Sequence, residues 1–165
     1  MFEKFGEFDS VEELNRAAAG QKGDIDALIE MAIENGIDKE DAEDYADEIM
    51  DELATPLMAA LGKIKVESED LKLKAILQDW ALELQSECAE SEELARAVRK
   101  KDKKLAGYIA ALAESGFENR TVVDKKIVEL CKGEIKKIIG NHEFSIGVPD
   151  RVERKKIMKK YYLGK

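Results

Sequence analysis

Cysteine, proline, histidine and aromatic side chains are all scarce in this chain of 165 residues, and each scarcity closes off a class of function. The two cysteines, Cys88 and Cys131, stand far apart with no CxxC spacing, which excludes a zinc knuckle or a dithiol redox pair and reads as two reduced, buried thiols. A single histidine, His142, rules out the Glu-x-x-His pairs of a dinuclear carboxylate centre. Two prolines and few β-branched or aromatic residues, beside abundant Ala, Leu, Ile, Glu, Asp and Lys, favour helices over strands. No run approaches the ~20 apolar residues of a membrane span. The opening MFEKFGEFDS lacks the apolar stretch of a signal peptide, so a soluble, cytoplasmic protein is expected. Phosphate-loop, dinucleotide and nucleophile-elbow motifs are absent.

What is present is charge, and it is divided. Residues 1–94 carry 27 acidic and 8 basic side chains, whereas residues 95–165 carry 9 and 19, so a net −19 faces a net +10. Such a chain either neutralises itself by packing one half on the other or offers opposite faces to partners. An acidic helical region over 1–90 and a basic one over 91–165 are expected, continuous or meeting at a seam near 91–104.

Punctuation predicts about seven helices in a compact all-α bundle. Asp9 or Ser10 caps VEELNRAAA, which GQKG ends; Asp24 starts IDALIEMAIE, closed by Asn35-Gly36. Asp38 caps a third helix, with Asp41 placed like the acid of a capping box, and Thr55-Pro56 interrupts or restarts it. KIKVESED reads as a charged link into LKLKAILQDWALELQSECAE, where Leu73, Ile76, Leu77, Trp80, Leu84 and Cys88 recur at helical spacing. Ser91 restarts a helix, LAGYIAALAESG stops at Gly116, and Asp124 caps DKKIVELCKGEIKKIIG, with Cys131 beside Ile127, Leu130 and Ile135 on a core stripe. NHEFSIGVP is loop or a short strand, and DRVERKKIMKKYYL is a last basic helix ending at Gly164.

The densest feature is the run from Asp38 to Glu52, which holds nine carboxylates against one lysine. As a calcium loop it fails, because Ala42, Glu43 and Ile49 fall where an oxygen ligand, a glycine and a glutamate are required. As a helix it has an apolar stripe of Ala42, Tyr45, Ala46, Ile49, Met50 and Leu53, with Glu40, Asp41, Glu43, Asp44, Asp47, Glu48 and Asp51 outside it. Five like-charge pairs four residues apart would oppose that helix by about 1–2.5 kcal/mol in total. A solvated face or a partner-binding face both accommodate the pattern. At ~1.5 Å per residue, the net charge corresponds to one per about 2.8 Å, between duplex and single-stranded nucleic acid. An acidic mimic competing for a basic groove is therefore one reading.

The basic half has its own candidate. Lys100 and Lys101, with Lys155, Lys156, Lys159 and Lys160, are positioned for sequence-independent contact with nucleic acid. Tyr161 and Tyr162 either stack on bases or, with Val152, Ile157 and Met158, face the core. No carboxylate pair is set in an apolar surround and no cofactor or metal is expected, so the chain reads as a binding protein and not an enzyme.

Two stretches carry a resemblance. FDSVEELNRAAA…ALGKIKVE looks like small proteins of phages and conjugative elements. ESEELARAVRKKDKKLAGYIAALAESG…IGVPDRVERKKIMKKYYLGK is similar to the PcfK-like conjugative-element proteins, on Tyr108–Gly116, Lys155–Lys160 and Tyr161-Tyr162. Charged GVPDRVERKK stands where relatives have a glycine-rich turn. The family includes anti-CRISPR proteins that inhibit RNA-guided type II nucleases. The resemblance implies an inhibitor of such a nuclease with its guide RNA, acting in the bacterial cell by binding, as a monomer or homodimer. The alternative is a conjugation accessory protein that binds DNA through its basic half.

Overall fold

Side-chain caps and glycine stops set the first helices. The computed structural model describes residues 2–133, 137, 139 and 142–165. Ser10 Oγ accepts from Glu13 N–H to open α1 (Val11–Gln21), and Asp24 does the same for Ala27 at α2 (Ile25–Glu34). Asn35 and Gly36 (φ 75°) close α2. Then come α3 (Lys39–Ala46), α4 (Pro56–Asp70), α5 (Ile76–Glu90), α6 (Glu92–Arg99) and α7 (Leu105–Glu118). Strand β1 (Thr121–Val122), α8 (Lys125–Leu130), β2 (Ser145–Ile146), α9 (Arg151–Met158) and a π-helical turn (Lys159–Leu163) complete the order. The fold is all-α apart, among the described residues, from two antiparallel two-residue strands, Thr121 opposite Ile146 and Val122 opposite Ser145.

The chain divides into two units, Met1–Ile109 with Met158–Lys165, and Ala110–Ile157. The charge boundary at 94/95 falls inside the first, within α6.

In the first unit, Val11, Leu14 and Ala18 of α1 meet Leu28, Met31 and Ala32 of α2, Ala42 and Tyr45 of α3, and Leu53 and Ala59. Helix α4 packs on α5 and α6, burying Ile64, Trp80, Leu84, Cys88, Leu94 and Val98. The end of α2 crosses α4 so closely that a Cβ on Gly62 would collide with the Asn35 carbonyl. Tyr162 is buried against Tyr108, ring centroids 5.5 Å apart, and edge-on to Tyr161 at 4.9 Å. Gly164 ends the π-helical turn at φ 69°.

In the second unit, Val123 N–H donates to Phe144 O beside the strand pair. Gly116 and Gly147 cross in contact that excludes any Cβ on either. Glu153 accepts from Ser115 Oγ at 2.5 Å and Asn119 Nδ2 at 3.1 Å.

Several expectations are corrected. KIKVESED is no link: it completes α4, whose cap is Thr55 with Pro56 at the first position. Helix α5 starts at Ile76, after a turn with positive φ at Lys72 and Ala75, and Ile76 is exposed. Helix α7 runs through Gly116 to Glu118 because Gly116 serves a close crossing, not a stop. The Asp124-capped helix ends at Leu130; Ile127 and Leu130 are exposed and Cys131 lies beyond the helix, half-buried, so the expected core stripe does not form. Ile135 lies outside the described residues. Val152 is exposed, whereas Met158 and Tyr162 join the core.

Candidate functional site

The acidic run folds differently from the long amphipathic helix expected of it. Asp38 takes the cap position of α3, but its carboxylate accepts from Lys65 Nζ at 3.0 Å and makes no cap hydrogen bond. Ala42 and Tyr45 anchor the helix, and Lys22 Nζ lies 4.5 Å above the Tyr45 ring. After Ala46 the helix stops. Glu48 adopts φ 61°, and Ile49 and Met50 N–H both donate to Asp44 O. Ile49, expected on the apolar stripe, is 71% exposed.

Like-charge repulsion supplies a physical reason for the break. A helix continued to Leu53 would add the pairs Asp44–Glu48, Asp47–Asp51 and Glu48–Glu52, each opposing it by roughly 0.2–0.5 kcal/mol. Asn15 holds the far side of the turn, accepting from Ala54 N–H at 3.0 Å and donating to Ala54 O at 2.9 Å. That clamp brings Leu53 into the core. The charge is thus gathered in a knob instead of spread along a rod, and the spacing estimated for a continuous helix does not apply beyond Ala46.

Most of the knob is unpaired. Asp38 pairs with Lys65, Glu43 with Lys39 at 2.9 Å, and Glu52 accepts from Asn15. No cation among the described residues pairs with Glu40, Asp41, Asp44, Asp47, Glu48 or Asp51. Burial, reinforced by Asp38, Asp44 and Glu40, pushes the Asp41 carboxyl above its ordinary value. Asp41 and Asp38 border a recess of about 270 Å³ with Met58, Leu61, Lys65 and Gln85.

Some acids elsewhere in the negative half are matched by the positive half. Glu12 pairs with Arg96, Glu93 with Lys165, and Glu7 with Lys104. Self-neutralisation therefore occurs, and it bypasses the run at 38–52.

The Glu7 contact belongs to an ionic cluster that sequence reasoning missed. Lys63 and Glu67 of α4 and Arg99 at the end of α6 are all buried. Lys63 Nζ lies 2.9 Å from Glu7 Oε1 and also donates to Lys100 O. Glu67 Oε2 accepts from Leu105 N–H at 2.6 Å, and Arg99 Nη2 donates to Asn35 Oδ1 at 2.6 Å. Arg99 Nε and Nη1 have no acceptor among the described residues. Burial pulls Arg99 down to about 10, pulls Lys63 down, and pushes Glu67 up. Burial also acts to raise Glu7, but hydrogen bonds from Lys104 and Lys63 prevail and hold it below the ordinary value. The available signal was periodicity: Ala59, Ala60, Ile64 and Ser68 recur at helical spacing and put Lys63 and Glu67 on the same side.

Of the basic candidates, Lys100, Lys101, Lys156, Lys159 and Lys160 are exposed and Lys155 is half-buried. Lys155 and Lys156 belong to the second unit, the other four to the first. The change from α- to π-helix at Lys159 breaks the single helical period expected for the last four. Tyr161 and Tyr162 do not present faces for base stacking: Tyr162 is buried, and half-buried Tyr161 donates its hydroxyl to Lys104 O at 2.9 Å.

Burial pushes the Cys88 thiol up to about 12, so it packs and does not attack. His142 is exposed on a second-unit cavity of about 590 Å³ that includes Val122, Val128 and Phe144. Among the described residues, no group of three or more His, Cys, Asp or Glu side chains could hold a metal ion, and no helix is long and apolar enough to cross a membrane. The chain matches no protein-family model, no curated protein and no solved structure.

Proposed function

We propose that the chain is a non-catalytic binding protein whose acidic knob engages a strongly basic surface, and that its target is an RNA-guided type II nuclease with its guide RNA. One observation carries the reading: seven of the nine carboxylates between Asp38 and Glu52 form no ion pair among the described residues, although the same chain pairs Glu7, Glu12 and Glu93 with its own basic half. Unpaired like charges in one turn oppose folding locally, and a basic partner turns that cost into binding energy and faster association. The nuclease as target rests on the resemblance of the sequence. The positively charged channel that holds guide and target strands in such enzymes has the chemistry the knob would seek. DNA cleavage by a guide-loaded type II nuclease, with and without the chain, tests it. Inhibition at stoichiometric protein supports the reading, and unchanged cleavage across several such nucleases overturns the target.

A second reading is favoured by a separate observation. The Lys100, Lys101, Lys156, Lys159 and Lys160 ammonium groups are exposed and none has an anionic partner among the described residues. A conjugation accessory protein that binds DNA without sequence preference would present such charges. Its affinity would fall steeply with salt.

A further inference from the structure

The basic loop between α6 and α7 is already occupied by anions, and they come from the chain itself. Arg99, Lys100, Lys101, Lys103 and Lys104 fall within six consecutive positions. Across this loop runs a strap of residues 2–10. Glu7 pairs with Lys104 and Lys63, and the Asp9 carboxylate accepts from Lys101 N–H at 2.9 Å. Ammonium groups joined by a backbone N–H are what a phosphate oxygen seeks, and here two carboxylates fill those positions. Buried Arg99, with two nitrogens lacking an acceptor among the described residues, adds positive charge behind the loop. The five ionised groups Lys63, Arg99, Lys104, Glu7 and Glu67 sum to +1, so the strap lowers the positive charge there without cancelling it.

The strap is held by contacts that can be exchanged. No backbone–backbone hydrogen bond among the described residues ties residues 2–9 to the rest of the unit. Lys4, Phe5 and Gly6 N–H converge on the Glu34 carboxylate, and Phe5 and Phe8 pack, partly buried, against the core. Lys4 pairs with Glu30 and Asp9 N–H donates to Glu13, and toward the 99–104 loop the strap reaches with the charge contacts of Glu7 and Asp9. A polyanion would replace those one for one.

We propose that the 99–104 loop is a phosphodiester-binding site and that the strap, through Glu7 and Asp9, is its built-in competitor. The proposal rests on the second reading above and adds to it a site and a restraint. The lysines are flexible point charges beside a backbone donor, a set that follows phosphates without reading bases. Binding of nucleic acid would displace the two carboxylates while Lys100 and Lys101, already exposed, make first contact.

The test is fluorescence anisotropy with a short, labelled single-stranded DNA of mixed sequence, at low and near-physiological salt. The full-length chain is compared with Glu7→Gln/Asp9→Asn and with Asp26→Asn/Asp79→Asn, which removes the same charge at exposed positions away from the strap. The strap variant is expected to bind roughly threefold or more tighter than the control variant, and adding Lys101→Gln/Lys104→Gln is expected to cancel the gain. Asp9→Asn alone, at an exposed position, gives a smaller gain in the same direction and stands in if the double variant misfolds. Equal affinities for strap and control variants overturn the competitor. No binding by any variant overturns the DNA reading beneath it. An equal gain for polyglutamate overturns the assignment to nucleic acid.

Discussion

Glu7 and Glu67 sit in one ionic cluster, yet replacing each by glutamine is predicted to have unequal effects. Glu7→Gln removes the carboxylate facing Lys63, which is 1% exposed, at a contact of 2.9 Å. Breaking a buried pair by removing one partner costs about 3–5 kcal/mol at the upper end, and Gln keeps an acceptor oxygen, so about 2 kcal/mol is expected here. The Lys104 contact, 42% exposed on the lysine side, adds at most about 1 kcal/mol. The sum is about 2–3 kcal/mol. Glu67→Gln keeps an acceptor for Leu105 N–H and removes a charge that burial disfavours, so a net change within about 1 kcal/mol is expected. Urea unfolding followed by Trp80, the sole tryptophan and 6% exposed in the same unit, measures both. The pH dependence supplies a second check. Glu7 has a lowered folded value, so its contribution is full above the ordinary 4.5 and is lost as pH falls through the folded value; the gap between wild type and Glu7→Gln closes in acid. Glu67 has a raised folded value, so its contribution is present below 4.5 and lost as pH rises through the folded value; Glu67→Gln gains on wild type towards neutrality. A Glu67→Gln cost equal to or above that of Glu7→Gln would refute the reasoning.

Three further outcomes follow from the geometry. Asp44→Lys/Asp47→Lys/Asp51→Lys relieves like-charge repulsion at the end of α3 and in the turn after it, so the thermal midpoint is expected to hold or rise by an amount worth about 1 kcal/mol; a large fall would show that the acids hold the turn together. Asn15→Ala removes both hydrogen bonds to Ala54 and should lower stability by about 2 kcal/mol in urea titration, with Ile49–Ala54 amides losing protection from hydrogen exchange. Gly62→Ala drives a methyl into the Asn35 backbone carbonyl, whereas Gly107→Ala meets the far end of the Tyr161 ring, which can swing. The first should cost about 2–3 kcal/mol and the second less, as compared by denaturant midpoints.

Helix starts were legible wherever a cap residue carries the signal: Ser10, Asp24, Thr55-Pro56, Ser91 and Asp124 all stand where their helices begin. Helix ends were legible at Asn35-Gly36 and Gly164, where Gly36 and Gly164 take the positive φ that favours glycine. The end of α3 carried no such mark, because Glu48 is an unusual residue for φ 61° and the break answers to accumulated charge instead. Position 116 misled for the opposite reason: its glycine serves a crossing with Gly147 inside a continuing helix. Lys63 and Glu67 fall in the KIKVESED stretch expected as a charged link, and nothing in the sequence marks Arg99 as buried, because charged residues rarely are. Only the tertiary pairing with Glu7 and Asn35 explains why these three are buried. The acidic residues themselves were found from sequence; which of them lack cations could come only from the fold, since Lys65, Lys39 and Lys22 reach the run from three different places in the chain.

The central claim, that the unpaired acids form the binding surface, is tested most directly by affinity for a guide-loaded type II nuclease. Isothermal titration of the wild-type chain and of Asp44→Lys/Asp47→Lys/Asp51→Lys measures it. Tight binding by the wild type that the reversed variant loses by a factor of about a hundred or more is the predicted result. Equal affinity for the two, with both folded, would contradict it.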